Sequence, residues 1–210
     1  MSYYDESGQI PFLGKAEISD KVNEVLDECW NGIFPVNLES VCDYLGISLF
    51  PVAELSKKYN VDAFVSASFR ILYVDEKSYR NESYRYRFSV AHELGHLVLH
   101  REYYSNRIDS FEDWLGLSPH ADNSYVEFQA NYFAGNLLVP EIELIKFMDR
   151  GFSGNFEKNC WKATHKDFRN KLGMAKTFFK VSDQVIARRM RDVFLGAERF
   201  DEIENAMQSS

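Results

Sequence analysis

The chain has 210 residues, which suits one domain, and 45% of them are hydrophobic, which is enough for a packed core. Its net charge of −8 argues against nucleic acid as a partner, because DNA-binding proteins gain affinity by neutralising phosphates with basic side chains. No apolar run approaches the roughly 20 residues that span a bilayer, and residues 1–15 show no signal-peptide pattern. The three cysteines form no short-spaced pair, so we expect reduced thiols and a cytoplasmic protein.

The first part of the chain predicts two helices. Residues 18–30 carry apolar side chains at helical spacing, so that one face is apolar. Asn37 can cap a second, shorter helix that runs through Tyr44, and Gly46 is placed to end it.

Three segments rich in β-favouring residues follow and predict strands at residues 47–52, 63–69 and 71–74. Only Arg70 separates the second segment from the third, so these two could equally form one bent strand. Residues 77–84 are polar and predict a turn before the next helix.

Helices dominate the remainder. A helix over residues 86–100 is apolar on every side apart from its His and Glu residues, which predicts that it is buried. Further helices are predicted at residues 123–138, from there to Arg150, at 166–179 and at 182–194. The order of helices, strands and again helices predicts a compact α+β domain.

The central helix carries the pattern HExxH. His92 and His96 are four residues apart, so they lie one turn apart on one helix face and can reach one metal ion. Glu93 projects beside that position, where a carboxylate can accept a proton from water as a general base. Because buried imidazoles without partners are costly, the apolar surroundings favour a metal site over a pair of surface histidines. Gly95 is unfavourable in a helix interior and predicts the close approach of a second helix.

A catalytic zinc site needs a third protein ligand, and the candidates are His100, His120, Asp122 and Glu127. His100 stands eight residues from His92, about 12 Å along a continuous helix, so it is predicted to lie next to a ligand rather than to be one. Glu127 competes with another interpretation, because residues 124–127 also fit an S-x-x-E capping box.

The position of Glu127 on its predicted helix favours the ligand role. Glu127, Ala130, Asn131 and Ala134 share one face. The two alanines permit close contact with Gly95, and Asn131 is a second polar group that would point into this contact and orient a ligand.

Two separated motifs resemble the ImmA/IrrE metallopeptidases. Residues 87–100 (RFSVAHELGHLVLH) are similar to the active-site helix of that family. Residues 127–134 (EFQANYFA) with 137–140 (LLVP) resemble its second motif, and residues 179–182 and 188–190 resemble its C-terminal helix pair. The similarity spans most of the chain.

The resemblance implies that His92, His96 and Glu127 bind Zn²⁺ and that Glu93 is the general base, with Asn131 and His100 next to the ligands. It implies a mostly helical, zincin-like α+β domain in which a small three-stranded sheet flanks the HExxH helix. It also implies a metalloendopeptidase that cleaves a helix-turn-helix repressor or an antitoxin partner, an anti-repressor role in transcription regulation.

We predict a flexible segment at residues 1–15, a single domain at 16–195 that includes a C-terminal helix pair at 163–195, and a frayed tail at 196–210. Arg188, Arg189 and Arg191 in the second helix of the pair could indicate a DNA-binding helix-turn-helix. The acidic net charge favours a packed helical hairpin with solvated arginines instead, so direct DNA binding is not expected. The alternative to an enzyme is a non-catalytic or DNA-associated module that binds a repressor with the same fold.

Overall fold

A computed structural model describes residues 12–66, 68–105, 124–150 and 165–194. The elements of this part of the chain, in order, are α1 (Lys15–Cys29), α2 (Leu38–Tyr44), β1 (Ser48–Val52), α3 (Leu55–Tyr59), β2 (Ala63–Val65), β3 (Ile71–Asp75), α4 (Glu76–Arg80), α5 (Tyr84–Ser105), α6 (Ser124–Leu138), α7 (Glu141–Asp149), α8 (His165–Phe179) and α9 (Asp183–Phe194). None of the helices in these ranges is long and apolar enough to cross a bilayer.

The first two helices form where the sequence predicts them. The buried side chains of α1 recur at helical spacing, at Ile18, Val22, Val25 and Leu26. The side chain of Asn37 accepts a hydrogen bond from the Ser40 amide at 2.9 Å and so caps α2. Gly46 follows α2 with a φ of +70°, a conformation that favours glycine.

The sheet has three strands in the order β1-β3-β2, with β1 parallel and β2 antiparallel to β3. Because β2 and β3 pair with each other, the alternative of one bent strand is wrong. Leu72 and Val74 of β3 are fully buried on the face that α5 contacts. β2 forms one edge of the sheet.

Two short helices depart from the sequence prediction. Residues 76–80 form helix α4 rather than a polar turn, because the carboxylate of Asp75 caps it by accepting from the Ser78 amide at 3.0 Å. The other oxygen of Asp75 accepts from the Ser56 amide at 3.1 Å, in the first turn of α3, a helix that the sequence did not predict. One buried carboxylate therefore stabilises the N-termini of two helices.

The close contact predicted at Gly95 is present. A Cβ atom placed on Gly95 of α5 would lie 3.0 Å from the carbonyl oxygen of Ala130, 3.1 Å from its Cα and 3.2 Å from the Cβ of Phe133. Any larger residue would therefore force its neighbours to move by a few tenths of an ångström, because the backbone of α6 lies this close to α5. Ala130, one of the two alanines predicted to permit this contact, supplies two of the three nearest atoms. α5 extends beyond the predicted limits and is continuous past His100.

The C-terminal helices α7, α8 and α9 pack together. The predicted apolar face of the pair is buried, at Val181, Val185, Ile186 and Met190. The prediction that the arginines are solvated is wrong for Arg189, which is 2% exposed. Its Nε donates to the carbonyl oxygen of Val139 at 3.0 Å, so this guanidinium serves the packing of the helices.

Contacts divide the chain into two compact units, with the division after Leu137. The predicted α+β class, mostly helical with a small three-stranded sheet beside the HExxH helix, is confirmed. The domain limits of 16–195 stay a prediction. Residues 1–11 and 195–210, which include the predicted tail and most of the predicted flexible segment, lie outside the described residues.

Candidate metal centre

Three side chains from two helices converge at one point. His92 and His96 lie one turn apart on α5, and Glu127 lies in the first turn of α6. The Nε2 atoms of the two histidines are 3.0 Å apart, and each lies 3.3 Å from one carboxylate oxygen of Glu127. Within the described ranges, these three side chains form the group of His, Cys, Asp and Glu residues that could hold a metal ion.

The donor set fits a divalent ion such as zinc. Two imidazole nitrogens and one carboxylate match the three protein ligands of a catalytic zinc site that keeps one position open. Ligand atoms arranged tetrahedrally at about 2.0–2.1 Å from an ion stand roughly 3.3 Å from one another. The observed separations of 3.0 and 3.3 Å are close to this value. The side chain of Glu127 is 25% exposed, so the site is accessible.

The position of Glu127 bears on the capping-box interpretation. Each of its two oxygens lies 3.3 Å from a histidine Nε2 atom. Burial alone would raise the pKa of Glu127, but hydrogen bonds from His92 and His96 outweigh it and hold that pKa well below its usual range. Glu127 is therefore a carboxylate that interacts with both histidines.

The two histidines have different electrostatic surroundings. Burial opposes the charged form of His92, yet the hydrogen bond with Glu127 and the charge of Glu93 together raise its pKa. Burial dominates for His96 and lowers its pKa. A neutral His96 offers the unprotonated nitrogen that a metal ligand requires.

Glu93 is buried between the HExxH helix and the sheet. Burial, with a smaller contribution from the charge of Glu127, raises the pKa of Glu93 to about 7, against the lowering effects of His92 and of a backbone hydrogen bond from Val65. The bond to Val65 brings edge strand β2 next to this carboxylate. Glu93 thus lies beside the cluster, while its own oxygens are not part of it.

Further side chains contact the Nδ1 atoms of the two histidines, on the side of each ring that points away from the cluster. His92 Nδ1 lies 3.1 Å from Asn131 Oδ1, and His96 Nδ1 lies 3.2 Å from His100 Nδ1. Asn131 and His100 are the two residues that the sequence predicts next to the ligands, and that role stays a prediction. His100 Nε2 in turn lies 2.7 Å from Oε1 of Gln129, which is fully buried. Sequence reasoning missed Gln129, because it is one of three amide residues on α6 and nothing near it in the sequence sets it apart.

Of the four candidate third ligands, His100 and Glu127 lie within the described residues. His120 and Asp122, the alternative ligands, lie outside the described residues. His100 is not a third ligand, because the helix does not break between it and His96, and its ring stands behind His96.

Comparison with known families agrees with this geometry. Residues 42–191, most of the chain, match the peptidase family model described as the IrrE N-terminal-like domain. The chain belongs to this family. The matched range includes the whole of the cluster formed by His92, His96 and Glu127. Among curated proteins, no relative matches the chain.

Membership of the IrrE N-terminal-like family supports a peptidase activity, that is, hydrolysis of peptide bonds. The cluster of two imidazoles and a carboxylate is compatible with the metal ion of a metallopeptidase. The resemblance to ImmA/IrrE metallopeptidases inferred from the motifs is confirmed.

Proposed function

We propose that this protein is a zinc-dependent endopeptidase of the IrrE N-terminal-like family, in which His92, His96 and Glu127 hold Zn²⁺ and Glu93 is the general base. The observation that carries the proposal is the convergence of three ligand atoms with the carboxylate of Glu93 beside them. Zinc is favoured over harder cations because two of the three donors are imidazole nitrogens.

A bound zinc ion would polarise the scissile carbonyl and acidify a water molecule. Glu93 would accept the proton of the attacking water and pass it to the leaving amine. Its buried position keeps bulk water away from the carboxylate, and its neighbour Val65 fixes its orientation. Asn131 orients the imidazole of His92 by contacting Nδ1, the nitrogen opposite the cluster.

An extended peptide is the substrate form that this site suits. β2 lies at the edge of the sheet and its residue Val65 contacts Glu93. A peptide that pairs with the edge strand through main-chain hydrogen bonds would pass the general base. We infer that the physiological substrate is a segment of a helix-turn-helix repressor or antitoxin, in a cytoplasmic setting.

The test compares wild type with Glu93→Gln and Glu127→Ala. Each purified protein is stripped by mild chelation, reloaded with Zn²⁺ and measured by elemental mass spectrometry. We expect one zinc per chain in wild type and in Glu93→Gln, and clearly less in Glu127→Ala, because only the last variant lacks a ligand. Cleavage of candidate helix-turn-helix repressors and antitoxins, each mixed with the purified protein, is then followed by mass spectrometry, and only wild type should cleave its substrate.

Different failures point to different errors. Cleavage by Glu93→Gln would refute the general-base role. Equal zinc retention by Glu127→Ala would return Glu127 to the capping interpretation. Zinc binding by wild type without cleavage of any partner would favour a non-catalytic binding module.

A further inference from the structure

Three aromatic side chains form a row across the face of the sheet that points away from α5. The register places Phe50 of β1 opposite Tyr73 of β3, and Tyr73 opposite Phe64 of β2. The ring centroids of Phe50 and Tyr73 are 5.8 Å apart, and those of Tyr73 and Phe64 are 4.8 Å apart. Phe50 is 57% exposed, and the other two residues are partly exposed. An aromatic row is unexpected here, because the outer face of a sheet that packs on one side is normally polar.

The row ends at the strand edge that lies beside Glu93. Main-chain hydrogen bonds to β3 flank Phe64, two residues before it and two residues after it. Because hydrogen-bonded pairs alternate along an antiparallel ladder, the main-chain groups of Phe64 point towards β3 and those of Val65 point away from β3. The amide of Val65 accordingly donates to the carboxylate of Glu93. Phe64 is thus the aromatic residue of the row that lies next to the general base in the chain of β2.

A peptide that pairs with the edge of β2 would add a fourth strand to the sheet. Side chains directly opposite each other on neighbouring strands lie on the same face, with Cβ atoms about 4.5–5.5 Å apart. The peptide residue opposite Phe64 therefore has its side chain beside this ring. The neighbouring peptide residue lies opposite Val65 and so passes Glu93. The residue that meets Phe64 is consequently close to the bond that the general base serves.

We propose that Phe64, supported by Tyr73, is a specificity-determining residue that selects an aromatic or large aliphatic side chain close to the scissile bond of the substrate. This inference rests on the proposed peptidase function and on pairing of the substrate with β2. A substrate ring would stack on Phe64 as Phe64 stacks on Tyr73, where the interplanar angle is 25°. The substrate is then an extended segment with an exposed apolar side chain, of the kind that a folded domain usually buries.

The first test measures binding and does not depend on cleavage. The full chain with Glu93→Gln, loaded with Zn²⁺, is mixed with a synthetic library of random-sequence peptides, and the bound peptides are separated and sequenced by mass spectrometry. We expect aromatic and large aliphatic residues to be enriched at one position by about 2–10-fold, which corresponds to the energy of an aromatic pair. A bound pool without this enrichment, or the absence of bound peptide, would overturn the proposal.

Phe64→Thr and Phe50→Thr are a matched pair of variants in the same Glu93→Gln background. Each removes one ring of the row and keeps a β-favouring residue in its strand. β1 is the strand at the opposite edge of the sheet from β2, so Phe50 lies too far from the peptide to contact it. We expect Phe64→Thr to lose the enrichment and Phe50→Thr to keep it, with urea unfolding showing that both variants fold. Equal loss in both variants would overturn the proposal, because it would assign the effect to the stability of the sheet.

Cleavage of the same library by zinc-loaded wild type then places the enriched position relative to the cleaved bond. We expect the enriched residue to lie no more than two residues from that bond. An enriched position farther from the bond would overturn the proposal. Binding with the expected enrichment but without any cleavage by wild type would instead count against the proposed peptidase function alone.

Discussion

Replacing Gly95 by alanine tests how the metal centre is held together. The added Cβ would lie 3.0 Å from the carbonyl oxygen of Ala130, 3.1 Å from its Cα and 3.2 Å from the Cβ of Phe133. These distances are well below the roughly 3.5–4.0 Å of an optimal contact between carbon atoms. Two of the three atoms belong to the backbone of α6, so no side-chain rotation relieves the contact and the two helices must separate by a few tenths of an ångström.

Two opposing effects set the magnitude. Alanine is favoured over glycine in a helix interior by about 1 kcal/mol. Overpacking of a well-packed interior costs about 1–3 kcal/mol. Gly173 separates the two effects, because it lies within α8 and a Cβ there meets nothing within 4 Å. We expect Gly173→Ala to be stabilising and Gly95→Ala to be less stable than Gly173→Ala by about 1–3 kcal/mol, the overpacking cost alone.

The assay is urea unfolding of wild type and the two variants, with Zn²⁺ affinity measured on each. Because Ala130 lies three residues from Glu127 on α6, a displacement of this helix also moves the carboxylate relative to His92 and His96. We therefore expect weaker Zn²⁺ binding in Gly95→Ala and none of this effect in Gly173→Ala. Equal stabilisation by both substitutions, with unchanged Zn²⁺ affinity, would refute the reasoning.

Three further predictions concern buried polar contacts. Asp75→Ala removes both capping interactions and should lower the free energy of unfolding by about 1–3 kcal/mol. Burial raises the pKa of Asp75, but hydrogen bonds from backbone amides outweigh it and lower this pKa, so the loss should be full above about pH 4 and shrink as the pH falls further. Arg87→Met leaves the buried carbonyl oxygen of Val36 without its donor and should cost about 1–3 kcal/mol in urea unfolding. Asn131→Leu removes the acceptor of His92 Nδ1 and should weaken Zn²⁺ binding about 10–100-fold by chelator competition.

For each of these three predictions, one experimental result would contradict it. A stability difference for the Asp75 variant that does not change between neutral and acidic pH would contradict capping by the charged form. Wild-type stability in the Arg87 variant would mean that water replaces the lost donor. Asn136→Leu controls the Asn131 variant, because it changes a buried amide on the same helix whose side chain bonds to the carbonyl oxygen of Tyr132. Equal Zn²⁺ affinities in the two variants would contradict the role of Asn131 at His92.

Local chemistry explains why much of the site could be predicted from the sequence. The i, i+4 spacing of His92 and His96 requires only one helical turn to bring the two rings together. Gly95 indicated a close helix contact because glycine is unfavourable in a helix interior unless packing demands it. Asn37 predicted the start of α2 because its side chain bonds to an amide three residues away. Signals of this kind depend on neighbours in sequence.

Most of the features that sequence reasoning missed depend on partners distant in the chain. Helix α3 is short and polar, and the carboxylate that accepts from its Ser56 amide belongs to Asp75, 19 residues away at the end of β3. Helix α4 is the exception, because Asp75 caps it through the Ser78 amide only three residues away. The sequence predicts Arg189 to be a solvated charge, whereas in the structure its guanidinium bonds to the carbonyl oxygen of Val139. The sequence gives no functional signal for Gln129, and only the contact between α5 and α6 places its Oε1 atom next to His100.

The sequence by itself thus determined the family, the HExxH pair and the helix that carries it. Whether Glu127 caps its own helix or joins His92 and His96 was decided by the tertiary structure, because its carboxylate could serve either purpose locally. The physical reason is the absence of a side chain at Gly95. It lets α6 approach α5 closely enough for the carboxylate of Glu127 to reach both imidazoles.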